Sequence, residues 1–407
     1  MSLRYLFVDL DSYFASCEQE ITPCLRGKPV AVVPTMADTT CCIAASYEAK
    51  AFGVKTGTMV REAKLKCPGI QFVEGNHKEY VRIHHQVIAA VERCIPVSAV
   101  QSIDEMYAEL PPNWRDETKA RQIAQQINQT IAQDVGRYIG CSIGIGPNVF
   151  SSKMASGMRK PRGLVVIHQE DLPRVFFDLE LRDIYGIGFH MEQRLHRAGI
   201  HTVQALCTAS RDTLIRLWSG VEGDRLYREL RGEIVERPPT VRRQVGHSHV
   251  LPPQQRNALD AFEVLHRLTQ KAATRLRAMG YYCGKIQFGA HLENHQRWEQ
   301  EATFFETCQT PVLLHHLSKA WNLFPFDRAP QKVWVVLSNL LSSGQYSPSL
   351  FSQQQDLRNE RLDRTMDAIN QRLGSRTVYY AGQRTSPQSI PLRIAFTHIP
   401  NLDVEQG

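Results

Sequence analysis

Apolar residues recur along this chain in two rhythms, and the switches between them mark out its elements. Tyr5-Leu6-Phe7-Val8 is a short apolar run of strand type that ends at Asp9–Ser12. Tyr13, Phe14 and Cys17 then take up helical spacing, with Asp11 or Ser12 available as N-cap. Val30–Val33 predicts a second strand, and the residues around Ala44–Phe52 a helix stopped by Gly53, which suits a left-handed C-cap. From His77 to Cys94 one face carries Tyr80, Ile83, Val87, Ala90 and Val91, which predicts a long amphipathic helix. Val97–Leu110 reads as strand, turn, strand. Glu117–Val135 predicts a helix, Cys141–Gly146 a strand, and Pro147-Asn148 opens a helix towards Met158. A basic loop interrupted by proline follows, Arg159-Lys160-Pro161-Arg162-Gly163.

Beyond Leu164–Ile167 the pattern is helical, with Gly186-Ile187-Gly188 between two short helices. Pro238-Pro239 marks a linker. Gln244–Val250, Leu259–Met279, Lys285–Leu292, Gln309–Trp321 and Lys332–Leu340 then alternate strand and helix, predicting a small α+β domain whose sheet is backed by two helices. Residues 341–407 read as a looser tail with one amphipathic helix (Leu357, Leu362, Met366, Ile369, Leu373) ended by Gly374. A chain of 407 residues holds roughly two to four domains.

Against this pattern three carboxylates are out of place. Asp9 ends one apolar run, and Asp104-Glu105 interrupt another. A desolvated carboxylate is costly unless a positive partner faces it, so two strand ends offering acids point to a shared site for divalent cations. Strict alternation sends neighbours to opposite faces, so the backbone must turn or bulge at Asp104 for both acids to reach one ion.

Composition changes the picture only in places. With 43% hydrophobic and 22% charged residues, and no apolar run of membrane-spanning length, the chain reads as cytoplasmic, with no membrane partner. None of the ten cysteines forms a Cys-x-x-Cys pair, which excludes a zinc site or disulfide scaffold of that kind and suits reduced thiols. The net charge of +7 is uneven. Residues 238–340 hold twelve Lys/Arg against seven Asp/Glu, a net of +5, whereas residues 168–237 hold ten against twelve. A basic segment of this kind suits grip on a polyanion, and Arg242, Arg243, His247 and His249 open it on a strand where alternate residues share a face.

The motifs, taken in order, resemble those of Y-family translesion DNA polymerases of the DinB/UmuC type. Phe7–Glu18 resembles the opening motif of that family, and Ser102-Ile-Asp-Glu105 its second, most specific one. Tyr47–Lys55 is similar to the fingers segment, and Gly144–Met154 with Lys160-Pro-Arg-Gly163 to the end of the palm. Gly186-Ile-Gly188 falls at the thumb helix-hairpin-helix, where exposed N–H groups meet a DNA phosphate. The resemblance implies an α+β multidomain right hand: palm (1–11 and 77–167, a mixed or antiparallel sheet plus helices), small fingers (12–76), helical thumb (168–237) and α+β little finger (238–340), with a partner-binding tail (341–407).

It further implies a low-fidelity, template-directed polymerase without proofreading. Two Mg²⁺, replaceable by Mn²⁺, would sit on Asp9, Asp104 and Glu105 with the Leu10 carbonyl as an added ligand. Tyr47, Lys50 and Lys160 would meet the dNTP triphosphate, Phe14 and Tyr13 would also contact the nucleotide, with Phe14 the steric gate against a ribose 2′-hydroxyl, and Gly186, Gly188, Arg242, Arg243 and His247 would meet primer–template DNA. The sequence departs from the family at Ala44, where many relatives have Thr or Ser, and at Lys50, where many have Arg. In the tail, Gln345–Phe351, ending in Leu350-Phe351, resembles peptides that dock on the sliding clamp, and Thr377–Gln383 resembles the UmuC branch, with its SOS accessory partners. Asp11 is accounted for as a helix cap. A catalytically weak DNA-binding scaffold and a metal-dependent nuclease are the competing readings.

Overall fold

The computed structural model describes residues 3–238, 241–347, 353–374, 377–380 and 399. They form two compact units, one ending at Pro238 and one beginning beyond it, where the double proline marks a linker. In the first unit β1 (Tyr5–Leu10) leads into α1 (Tyr13–Ile21). A small block follows: β2 (Val30–Val33), β3 (Ala44–Ala45), α2 (Tyr47–Lys50), α3 (Val60–Lys66) and β4 (Gln71–Glu74). Then come α4 (His77–Glu92), β5 (Ala99–Val100), β6 (Glu105–Glu109), α5 (Glu117–Asp134), β7 (Cys141–Gly146), α6 (Val149–Met158) and β8 (Leu164–Val166). Four short helices complete the unit: α7 (Phe189–Arg197), α8 (Val203–Thr208), α9 (Arg211–Trp218) and α10 (Val221–Glu229).

The main sheet has the order β5-β6-β1-β7-β8. β1 pairs antiparallel with β6 and β7, and β8 joins β7 in parallel. β1 and β7 are buried on both faces at every position except Asp9, which is why their sequences read as continuous apolar runs. α6 lies against β7 so closely that a Cβ at Gly144 would sit 1.9 Å from the Ser152 carbonyl oxygen, and only glycine permits that approach.

The small block corrects the sequence reading in two respects. Its sheet, β3-β2-β4, includes a parallel strand and a helix, β4 and α3, that were not expected. The expected helix at Ala44 also begins later. Ala44 pairs with Val32 in β3, and the helix starts only at Tyr47, capped by the Ser46 hydroxyl accepting from the Ala49 N–H.

The second unit comprises β9 (Gln244–Val250), α11 (Ala258–Ala278), β10 (Tyr281–Leu292), β11 (Arg297–Thr307), α12 (Thr310–Trp321), β12 (Pro330–Ser342) and α13 (Gln353–Leu373). Its antiparallel sheet, β11-β10-β12-β9, packs on α11 and α12 through Ile286, Phe288, Val333, Val335, Leu268 and Leu313. The edge strand β11 was missed because its outward positions, Glu299, Glu301 and Thr303, dilute the apolar signal.

The tail is also more tightly held than expected. Apolar Leu357, Leu362 and Leu373 of α13 are exposed, and its acidic edge docks instead. Arg277 of α11 reaches Asp367 (2.7 Å) and Asp363 (3.4 Å) and donates to the Cys308 carbonyl (2.8 Å). Asp363, 1% exposed, also accepts from the Thr310 N–H (2.8 Å) and the Tyr380 hydroxyl (2.9 Å). Breaking such a buried pair from one side leaves an uncompensated charge. Arg277→Ala is therefore expected to destabilise the second unit by about 3–5 kcal/mol, seen as an earlier transition in denaturant titration of the full chain.

Candidate active site

Asp9 and Glu105 are direct cross-strand partners in the β1–β6 ladder, so their side chains leave the sheet on the same face. The turn demanded by the sequence lies between β5 and β6. Within it the Ser102 hydroxyl donates to the Asp104 carboxylate (2.5 Å), while the Leu10 N–H donates to the Asp104 carbonyl (2.8 Å). One end of the sheet thus gathers Asp9, Leu10, Asp104 and Glu105.

The electrostatics of this end are strained. Burial pushes the Asp9 pKa up to about 6, Lys160 opposes that rise, and Glu105 and Asp104 add to it. Lys160 Nζ stands 2.5 Å from Asp9 Oδ1, and Lys153 Nζ 2.6 Å from Glu105 Oε2. Among the described residues no three acidic, imidazole or thiol groups converge as a ready metal cage, and two of these acids hold lysine ammoniums instead. Hard carboxylate oxygens that repel one another in a desolvated site fit a hard divalent cation.

Asp9 has a measurable consequence. Its native pKa lies above the ordinary 3.8, so between those values the native state binds the proton more tightly than the unfolded chain. Metal-free protein is expected to lose about 2–3 kcal/mol of stability through this group as pH rises from about 4 to about 6. Denaturant titrations in chelator should show that slope in the wild type and lose it in Asp9→Asn.

Beside the acids stand two neighbouring cations, Lys50 and Lys160. Lys50 Nζ donates to the Ser12 hydroxyl (2.7 Å) and lies 4.3 Å from the centre of the Tyr47 ring. Burial, then the neighbouring Lys160 charge, lowers the Lys50 pKa. The Tyr47 hydroxyl donates to Asp11 Oδ1 at 3.3 Å. Ala44 is buried in β3, and the nearby Ser46 hydroxyl is engaged by the α2 cap and by the Val30 N–H.

Asp11 is not a helix cap. Ser12 is the N-cap residue of α1, in the left-handed region and without a side-chain cap bond. Asp11 is 3% exposed, and its carboxylate accepts from the Ser142 hydroxyl (2.8 Å), the Arg162 N–H (2.7 Å) and Tyr47. It binds β7, the basic loop and α2 to the end of β1, a role invisible to a local reading.

Phe14 is half-buried and stacks on Tyr80, with centroids 4.5 Å apart and planes at 15°. The Tyr80 hydroxyl donates to the buried Glu18 carboxylate (2.6 Å), which fixes the ring behind Phe14. Tyr13, expected beside the nucleotide, is a core residue whose hydroxyl donates to the Tyr80 carbonyl (2.6 Å). The Lys153, Tyr80 and Glu18 contacts were not read from sequence. Only the helical pattern in the case of Tyr80, and the Gly144–Met154 run in the case of Lys153, pointed near them.

Gly186 has φ of 89°, which favours glycine, and Gly188 caps α7 after a single 3₁₀ turn at Leu181–Asp183. Arg242 and Arg243 are exposed just before β9. His247 shares the inner face of β9 with buried Val245 and His249, so it does not join an exposed basic face. Leu350 and Phe351 lie outside the described residues. Among the described residues no helix is long and apolar enough to cross a membrane.

Residues 8–157 match the model of the impB/mucB/samB family, and residues 242–350 that of its C-terminal domain. DNA polymerase IV of Moorella thermoacetica is 31% identical over 395 residues, covering 92% of this chain and 95% of that protein. DNA polymerase IV 1 of Bacillus subtilis is 26% identical over 396 residues, with 92% of each chain covered. Among solved structures, a Y-family DNA polymerase chimera of Dbh and Dpo4 matches with a TM-score of 0.71. It covers 83% of this chain and 99% of that one at 21% identity, a likeness of fold. The relatives are of the DNA polymerase IV kind, so the UmuC-like leaning taken from 377–383 is corrected to DinB-type. This chain belongs to the impB/mucB/samB family, the Y-family translesion DNA polymerases, which are DNA-directed and metal-dependent enzymes.

Proposed function

We propose that Asp9, Asp104 and Glu105, with the Leu10 carbonyl, are the cation ligands with which this polymerase adds a dNTP to a primer 3′-hydroxyl. The cations are two Mg²⁺, with Mn²⁺ able to substitute. When bound, such a pair supplies Lewis-acid stabilisation to the attacking and leaving oxygens of an in-line displacement. Asp9 and Asp104 would hold both cations, and Glu105 would hold the one that serves the nucleophile. Tyr47, Lys50 and Lys160 hold the triphosphate, since a phenol and two ammoniums hydrogen-bond and neutralise its oxygens. Lys160 then exchanges the Asp9 carboxylate for phosphate. Phe14, backed by Tyr80, lies beneath the sugar.

The observation that carries this reading is the Asp9–Glu105 cross-strand pair, with Asp104 tied to Leu10 and the Lys50 and Lys160 charges beside it. In domain terms we assign the palm to 1–11 and 77–167, the fingers to 12–76, the thumb to 168–237 and the little finger to 238–340. α13 belongs with the last through its buried ion pairs. Gly186, Gly188, Arg242 and Arg243 contact primer–template DNA through phosphates, and Leu350-Phe351 docks a sliding clamp in the cytoplasm. Purified protein with primer–template, dNTPs and Mg²⁺ should extend the primer past a lesion-bearing template base. Primer shortening would favour the nuclease reading, and DNA binding without metal-dependent chemistry the scaffold.

A further inference from the structure

Lys153 is a charged residue at the site to which neither the motifs nor the proposed mechanism gives a role. Its side chain is 20% exposed and that of Glu105 21%, so the pair is largely withdrawn from water. While Nζ holds Glu105 Oε2 at 2.6 Å, it also lies 4.0 Å from the centre of the Tyr185 ring and 5.4 Å from that of Phe7. An ammonium between a carboxylate and two aromatic faces is held by charge and by the ring quadrupoles together.

The backbone beneath Lys153 is held on both sides. The preceding Ser152 hydroxyl donates to the Tyr5 carbonyl of β1 (3.0 Å), and the following Met154 sulfur accepts from the Tyr185 N–H (3.4 Å). Tyr185 immediately precedes the Gly186-Ile187-Gly188 turn and is 53% exposed. Lys153 therefore joins the acidic end of the sheet to that turn through one side chain.

We propose that Lys153 is a positioning residue of the reaction: it grips one oxygen of Glu105, leaves the other for the divalent cation, and couples that acid to the Gly186–Gly188 turn through Tyr185. This rests on the reading of Glu105 as a cation ligand. Two consequences pull in opposite directions. Without the ammonium, Glu105 keeps its full charge and attracts a cation more strongly. Without the grip, the carboxylate is no longer held in one attitude, and a misplaced ligand slows the chemical step.

The test is Mn²⁺ binding to the DNA-free protein, followed by electron paramagnetic resonance, together with single-turnover extension. Lys153→Met should bind Mn²⁺ roughly three- to tenfold more tightly while the extension rate falls about tenfold or more. Lys153→Arg keeps the charge and should move both values back towards wild type. Tyr185→Leu, which removes the ring but not the ammonium, should tighten Mn²⁺ binding by a smaller factor, and Tyr185→Phe should leave it unchanged. That second pair decides the matter even where Lys153→Met fails to fold. Folded Lys153→Met with wild-type Mn²⁺ affinity overturns the proposal, since a purely structural lysine would move thermal stability alone. Glu105→Gln separates the two levels: if it binds Mn²⁺ as the wild type does, the ligand reading itself falls, and the role of Lys153 with it.

Discussion

Alanine at Asp104 or Glu105 is expected to abolish primer extension, with kcat falling by at least about a thousandfold while primer–template binding is retained. The reason is positional. Both residues are only partly buried, and the turn that carries them is held by backbone contacts, Leu10 N–H to Asp104 carbonyl and Gln101 N–H to Glu105 carbonyl, which alanine preserves. The fold therefore has little cause to collapse, and the loss falls on the charge offered to the cations. Glu105→Ala also releases Lys153, so an unopposed ammonium is added to the site. Single-turnover extension and fluorescence anisotropy on the same DNA separate chemistry from binding. Residual extension within tenfold of wild type for either variant would sink the assignment.

The second large effect is expected at Phe14. Phe14→Val should raise ribonucleotide insertion relative to deoxynucleotide insertion by about a hundredfold, read as the ratio of kcat/KM for a matched rNTP and dNTP. A bulky ring beneath the sugar leaves a 2′-hydroxyl without a hydrogen-bond partner and without room, and burying it unpaired is costly. What would make this ring a rigid barrier is its backing. Tyr80 is fully buried, stacked flat on Phe14 and fixed at its hydroxyl by Glu18, so Phe14 cannot swing away into the core. An unchanged ratio in Phe14→Val would mean that the ring does not face the sugar.

Elements legible in the sequence differ from those that were not in how they are buried. Long periodic segments such as His77–Glu92 and Glu117–Asp134 were legible because one face of each is buried against a continuous partner, which imposes the 3.6-residue rhythm. The strands β1 and β7 were legible because both faces are covered. β4 and β11 were not. β4 is four residues long with no fully buried position, and β11 is an edge strand with charges on its free face. The helix α13 shows a different failure. Its apolar spacing was read correctly, but the side that packs is the acidic edge carrying Asp363 and Asp367, because Arg277 is waiting there.

By itself the sequence determined the residue types at the site: acids interrupting apolar strands, a lysine in a short helix and another in the basic loop, an aromatic at the start of α1. Such choices are local, since a carboxylate at the end of a buried strand is anomalous whatever surrounds it. Only the tertiary structure decided how those residues are paired. Asp9 meets Glu105 because β1 and β6 are antiparallel in one register, Lys153 reaches Glu105 because Gly144 lets α6 lie against the sheet, and Asp11 ties together four segments far apart in the chain. Pair energies depend on distance and burial, and neither is written in the order of residues along a chain.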